Sequence, residues 1–458
     1  MHFADADKQI ATLKKNYPKN ACVHLLDGEK DFLKTFVTEE QGDFDNLIKN
    51  NDARLALLEN ENKNSPYYRY VIAELILHKA YSRIKFKQYV KAALEIRKAF
   101  KMLEENKVLF PEFKPTLKNL GMLHCVMASV PQNYKWIAGM VGLNGTLEGG
   151  IAEMNELLAH IVSKKEYDYM HNETLMWLIF IETHLNKQAS KSLDLIKQYT
   201  NLYSSPITVF SVGNVYFHYQ KNDELLALFD SYKDDGRTFP MIFLRYFRGV
   251  AYLQKLDQKG EKEFWFYINN YKGFNYKKGA YQRLAWLALL RNDDTAYQTL
   301  ITKCLTEGND LVDEDLVALS EAENNEKPNV ILLRARLLFD GGYYSPALKE
   351  LSGHTANTFP SFREKLEFIY RTARVFEMLN NEKKALELYE QTITLGKTYR
   401  YQYAANAAHS IGQIYEANKD FVNAEKYYKL CLSMRNHDYQ NSMDQKAKAG
   451  LDRIKNKQ

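Results

Sequence analysis

Residues 404–432 read AANAAHSIGQIYEANKDFVNAEKYYKLCL. Counted from Gly412, Tyr415 lies three residues on, Ala424 twelve, Tyr428 sixteen and Cys431 nineteen. Steps of three and four place side chains on one helical face. The stretch therefore predicts two short amphipathic helices joined at Asn418-Lys419-Asp420. Two helices approach closely only where small side chains sit at the crossing. Gly412 and Ala424 supply those notches, and Tyr415 and Tyr428 fill the space above and below them.

Laid along the chain, this unit recurs. Gly213 and Tyr216 lead to Phe229 and Tyr232, and Gly249 and Tyr252 lead to Trp265 and Ile268. Ala285 with Ala296, Ala335 with Ala347, and Ala373 with Ala385 repeat the notch, at successive spacings of 36, 36, 50, 38 and 39 residues from Gly213. Further upstream the chain predicts a helix over 21–36, two more around 44–49 and 53–60, and a long hairpin carrying Ala73, Ala80, Ala92 and Ala99. In residues 1–18, Ala6, Ile10, Leu13 and Pro18 match the second helix of a pair. That pattern leaves two readings: a start further upstream, or an atypical capping helix. Residues 111–165 break the rhythm. Gly121 lies in a helix over 116–129 whose partner is delayed to 151–162 by a Gly-rich insertion at 130–150. The chain divides on this pattern into 1–110, 111–165 and a repeat array over 166–458.

Composition agrees. In 458 residues, 21 Gly and 10 Pro are too few breakers for a large β or doubly wound protein. The net charge of +5 is nearly balanced, against a dedicated nucleic-acid binder. Cys22, Cys125, Cys304 and Cys431 stand apart with no CxxC, so they read as free thiols and not as a zinc site. No apolar run spans a bilayer and no signal peptide opens the chain. This gives a soluble, cytoplasmic reading as written, and an exported one if an upstream signal exists.

The small-x-x-Tyr and Ala-x-x-x-Tyr pattern resembles the tetratricopeptide repeat, clearest over 363–436, though with a period above 34 residues and without the early Trp. Gly121-Met-Leu-His, Ala128-Ser-Val-Pro131 and Gly142-Leu-Asn-Gly-Thr-Leu-Glu-Gly-Gly150 further resemble the eukaryotic inclusion-body-clearance (outer-membrane-associated) tetratricopeptide family, with Leu143 where Phe is usual. The resemblance implies an all-α, right-handed α-α superhelix of helical hairpins acting as a non-catalytic interaction protein.

Tests for chemistry return little. Gly139-x-x-Gly142-x-x-Gly145 is neither a dinucleotide fingerprint nor a P-loop. His124 beside Cys125, and His171 near Glu173, lack triad or HExxH spacing. No GxSxG occurs, and the carboxylates of 310–326 read as a solvated acidic loop with at most one short helix. No cofactor or metal is implied. The expected function is a scaffold binding a protein or peptide on the concave face made by first helices. One helical turn either side of each notch gives Phe210, Asn214, Phe217, Tyr246, Gln282, Trp286, Arg336, Tyr370, Arg374, His409 and Gln413 as partner-binding candidates. Aromatic and arginine side chains are typical anchors there; packing between neighbouring repeats is the other role open to them. The alternative function is an enzyme or small-ligand carrier with a pocket formed by the insertion.

Overall fold

At the Gly412 crossing, a Cβ added to Gly412 would meet the Tyr428 ring at 2.7 Å. Ala424, Tyr428 and Cys431 lie wholly within the core around it. In the computed structural model, which describes residues 1–59, 61–129, 145–233 and 236–455, this unit forms helices Tyr403–Ala417 and Phe421–Ser433. Tyr415 stacks on Tyr427, ring centroids 5.7 Å apart. The Tyr428 hydroxyl donates to Glu416 at 2.7 Å. One hairpin earlier, the Tyr389 hydroxyl donates to Glu377 in the same way. The tyrosine sixteen residues past the notch thus fills the crossing and satisfies its buried hydroxyl on a glutamate four past it.

The turns share one device that residue spacing had not disclosed. The residue seven past each notch has positive φ: Gln220 (55°), Leu256 (59°), Asn292 (62°), Gly342 (82°), Asn380 (59°) and Lys419 (60°). The next amide then reaches back to a carbonyl five residues earlier, as in Asp420 N to Tyr415 O at 2.9 Å and Asn381 N to Phe376 O at 2.9 Å. This is the helix-terminating arrangement in which one left-handed residue lets the last free carbonyls find amides.

The chain folds into two compact units. The first comprises 1–249, 261–281 and 306–318; the second comprises 250–260, 282–305 and 319–458. Each is all-α among its described residues and built of helical hairpins stacked on their neighbours, the tetratricopeptide-like architecture the spacing predicts. In the first, Pro66–Lys85 pairs with Tyr89–Leu109, Thr116–Ala128 with Leu147–Lys164, and Pro206–His218 with Asn222–Ser231. In the second, Val330–Asp340 pairs with Tyr344–Leu351 and Phe362–Met378 with Glu382–Gly396. The Gly412 hairpin follows, and Gln440–Lys455 packs on its two helices.

The delayed partner of Gly121 is present. A Cβ on Gly121 would stand 2.6 Å from the Gly150 carbonyl, and one on Gly150 2.4 Å from that of Gly121. Two glycines facing each other bring the backbones into direct contact. The body of the insertion, 130–144, lies outside the described residues, and with it the pocket reading.

Two expectations need correction. Gln41–Leu58 is one helix, not two: Asn51, read as part of a break, is buried and donates from Nδ2 to Leu75 O at 3.2 Å. The one short helix expected in 310–326 is Asp313–Asn324, but its acids are not all solvated: Asp315, fully buried, accepts from Tyr276 N at 2.6 Å and Gly279 N at 2.8 Å. This carboxylate caps the start of Lys277–Leu290, a favourable position for negative charge.

Candidate partner-binding face

The offsets that chose the candidate residues follow the first helix of each hairpin. In the second unit they converge on a ladder of aromatic and polar side chains. Gln282 and Trp286 are buried and both donate to Glu321: Gln282 Nε2 at 2.7 Å and Trp286 Nε1 at 3.1 Å. The Tyr297 hydroxyl adds a third donor at 3.0 Å. Burial raises the Glu321 pKa against the pull of these hydrogen bonds. The Arg336 guanidinium lies over the Trp286 ring, 5.1 Å from the centroid, and that of Arg283 lies 5.7 Å from it. One hairpin on, Arg374 lies 4.1 Å over the Phe339 ring. Tyr370 is buried between the rings of Tyr389 and Tyr403. The His409 ring sits 5.7 Å from that of Tyr428, and Gln413 is exposed.

Arg336, Arg374 and Gln413 all stand one residue past a notch, on three successive first helices. Stacking a guanidinium on a ring holds the stem of a side chain that otherwise spends rotamer entropy on binding. Trp286 and Phe339 form the floor beneath the two guanidiniums, while Gln282 and Tyr370 are buried in the core.

In the first unit Phe210 is half-buried, its ring 5.8 Å from Phe243. Asn214 turns back to donate to Phe210 O at 2.9 Å. Phe217 is 39% exposed, with its ring 5.3 Å from Phe247. Tyr246 is buried among Phe243, Phe264, Tyr267 and Tyr276. A cleft of about 280 Å³ opens beside Phe210, walled by Phe36, Ile84, Met241 and Phe243. The buried carboxylate at its edge, Glu39, is already held by Lys85 Nζ at 2.6 Å and Asn275 Nδ2 at 2.7 Å.

The first unit also holds an ionisable cluster that the sequence reading does not predict. Lys118 Nζ bridges Glu74 at 2.8 Å and Glu173 at 2.6 Å. His78 Nε2 faces Glu74 at 4.0 Å, and the His78 ring stacks on Phe32 at 4.6 Å. Burial would lower the Lys118 pKa, but the two carboxylates outweigh it and raise it. Glu29 faces Glu173, Lys118 and Glu74, and burial with carboxylate repulsion pushes its pKa up to about 7. Burial pulls His78 down to about 4. A signal for the cluster exists in the sequence: the offsets of the later hairpins give Glu29 and Phe32 from Gly28, and Lys118 from Gly121. It is masked because the early hairpins lack the tyrosine pattern.

Among the described residues no group of three His, Cys, Asp or Glu side chains is placed to hold a metal ion. No helix there is long and apolar enough to cross a membrane. No family model matches the chain, and no curated protein matches it. Among solved structures it is similar to Naa15/Naa10 bound to HypK-THB, at 14% identity and a TM-score of 0.28 over 99% of this chain. It is similar also to yeast Tom70, at 13% identity and a TM-score of 0.25, covering 96% of this chain and 97% of that one. The chain spans 64% of the length of the matched chain in the first of these. Likeness at this level does not bear on partner or activity.

Proposed function

We propose that the protein is a non-catalytic scaffold that binds a protein or peptide partner along the inner face of its first helices. The observation that carries this is the pair Arg336 and Arg374. They occupy the same place in successive hairpins, and each is stacked on an aromatic ring. Neither is needed for the notch packing, which Ala335 and Ala373 provide from within the core. A solvent-reachable guanidinium held in place on an aromatic platform, repeated from hairpin to hairpin, is a recognition surface before it is a stability device.

Of the sequence candidates, Phe210, Asn214 and Phe217 in the first unit, and Arg336, Arg374, His409 and Gln413 in the second, take the contacting role in this reading. Tyr246, Gln282, Trp286 and Tyr370 take the supporting one. The Gly121–Gly150 stretch supports placing the chain with the inclusion-body-clearance family of tetratricopeptide proteins.

The test is capture of partners from the source cell by wild type and by an Arg374→Ala/Gln413→Ala double variant. Both side chains lie off the core, so the variant keeps its thermal melting profile. Tyr370→Ala would confuse binding with folding, because Tyr370 is core. Loss of specific partners from the double variant is expected. An unchanged set of partners would refute the face.

A further inference from the structure

We infer that the cleft of the first unit binds a small two-ring aromatic acid that also carries an N–H or O–H donor. This goes beyond the scaffold reading and does not depend on it. One wall of the cleft comes from residues 36–89 and the other from 210–312. The two walls are clamped together. Asn275 Nδ2 donates to Glu39, 236 residues away in the chain, at 2.7 Å. The Phe86 and Phe274 rings meet edge to face at 5.2 Å, and a Cβ on Gly273 would stand 2.5 Å from the Thr38 carbonyl oxygen. Contacts this close form the cleft before any ligand arrives, so binding spends little on ordering its walls.

Size, shape and charge select the ligand. An apolar cavity of about 150 Å³ takes one benzene ring, so a cleft of about 280 Å³ accommodates two fused rings with a short substituent. Phe210 and Tyr276 both stand against Phe243, with centroids 5.8 and 4.8 Å away. Such a lining favours an aromatic body in edge-to-face or offset contact. Asn275, which lines the cleft, sets the first polar requirement. Its Nδ2 hydrogen bond to Glu39 fixes which way the amide faces, so Oδ1 is the acceptor. The residue is only 5% exposed, and Oδ1 accepts no hydrogen bond among the described residues. A buried acceptor left unmatched is costly, and a ligand N–H or O–H satisfies it. Charge sets the second requirement. Glu39, Lys85 and Lys87 are the charged residues lining the cleft, one acid against two bases. Glu39 and Lys85 neutralise each other at 2.6 Å. Lys87, exposed at the rim, takes part in no ion pair among the described residues. A carboxylate on the ligand balances that remaining cation.

The test is isothermal titration calorimetry of the full chain with indoleacetate as probe. It is compared with naphthylacetate, which lacks the N–H, and with methylindole, which lacks the carboxylate. Indoleacetate should bind with a Kd of about 0.1 mM. Naphthylacetate should bind about tenfold more weakly, because the buried acceptor stays unmatched. Methylindole should bind about threefold more weakly, since an exposed ion pair contributes little. Lys87→Gln should weaken both acids by about the same threefold and leave methylindole unchanged. Ile84→Trp, at a rim position 43% exposed, should fill the mouth and abolish binding while the melting profile stays in place. Equal affinities of the three probes would overturn the assigned chemistry. Indoleacetate binding undiminished by Ile84→Trp would put the ligand elsewhere and refute the site, as would failure of every probe to bind.

Discussion

Replacing Glu29 with Gln should make the protein more stable at neutral pH and above, by an amount that builds up between pH 4.5 and about 7 and then stays constant. The Glu29 pKa rises from an ordinary 4.5 to about 7 when the chain folds. Between those values the folded chain holds a proton that the unfolded chain has released, so stability falls as pH rises. At about 1.4 kcal/mol per unit the total is about 3 kcal/mol, fully lost above pH 7. Residual solvent contact at Glu29 makes that an upper figure. Gln resembles the protonated acid and cannot ionise, so the variant escapes the loss. His78 works in the opposite sense. Its pKa falls from 6.5 to about 4 on folding, so the folded chain keeps it neutral where the unfolded chain would charge it, and stability falls as pH drops through that window. In the wild type the two slopes nearly cancel between pH 4.5 and 6.5. In Glu29→Gln the His78 slope stands alone. The assay is urea denaturation of both proteins at half-unit pH steps from acid to mildly alkaline. The difference in stability should be flat in acid, climb through the window and level off above pH 7. A difference independent of pH would refute the assignment of the titration to Glu29.

Three further outcomes are expected. Lys419, exposed at φ 60°, tolerates a conformation that costs a non-glycine residue about 1 kcal/mol; Lys419→Gly should raise stability by roughly half of that, and Gly342→Ala at φ 82° should lower it by about 1 kcal/mol, both read from denaturation midpoints. Gly121→Ala drives a methyl to within 2.6 Å of the Gly150 carbonyl and should cost about 1–3 kcal/mol. The loss should be less than additive with Gly150→Ala if the two glycines share one contact. Glu321→Leu strands the buried donors of Gln282, Trp286 and Tyr297 and should cost about 3 kcal/mol, with a change in Trp fluorescence; unaltered stability would mean that Glu321 does not organise this part of the second unit.

The parts of this architecture that were legible are those in which a residue type has one physical use. A glycine or alanine at a helix crossing admits no larger side chain, so Gly412, Ala424 and Gly121 disclosed their hairpins directly. Turns were not legible, because the left-handed position seven residues past each notch is filled by Gln, Leu, Asn, Gly or Lys without a common chemistry. There the geometry is imposed by the hairpin on whichever residue arrives. Acids misled for the related reason that composition reports charge and not its destination: in a stretch rich in carboxylates, Asp315 caps a helix from full burial and Glu321 gathers three donors. The candidate face shows both limits at once. Its helical offsets identified which side chains share a surface, yet they assigned the same role to Trp286 and Arg336. Only the packing separates the ring that forms the floor from the guanidinium laid across it.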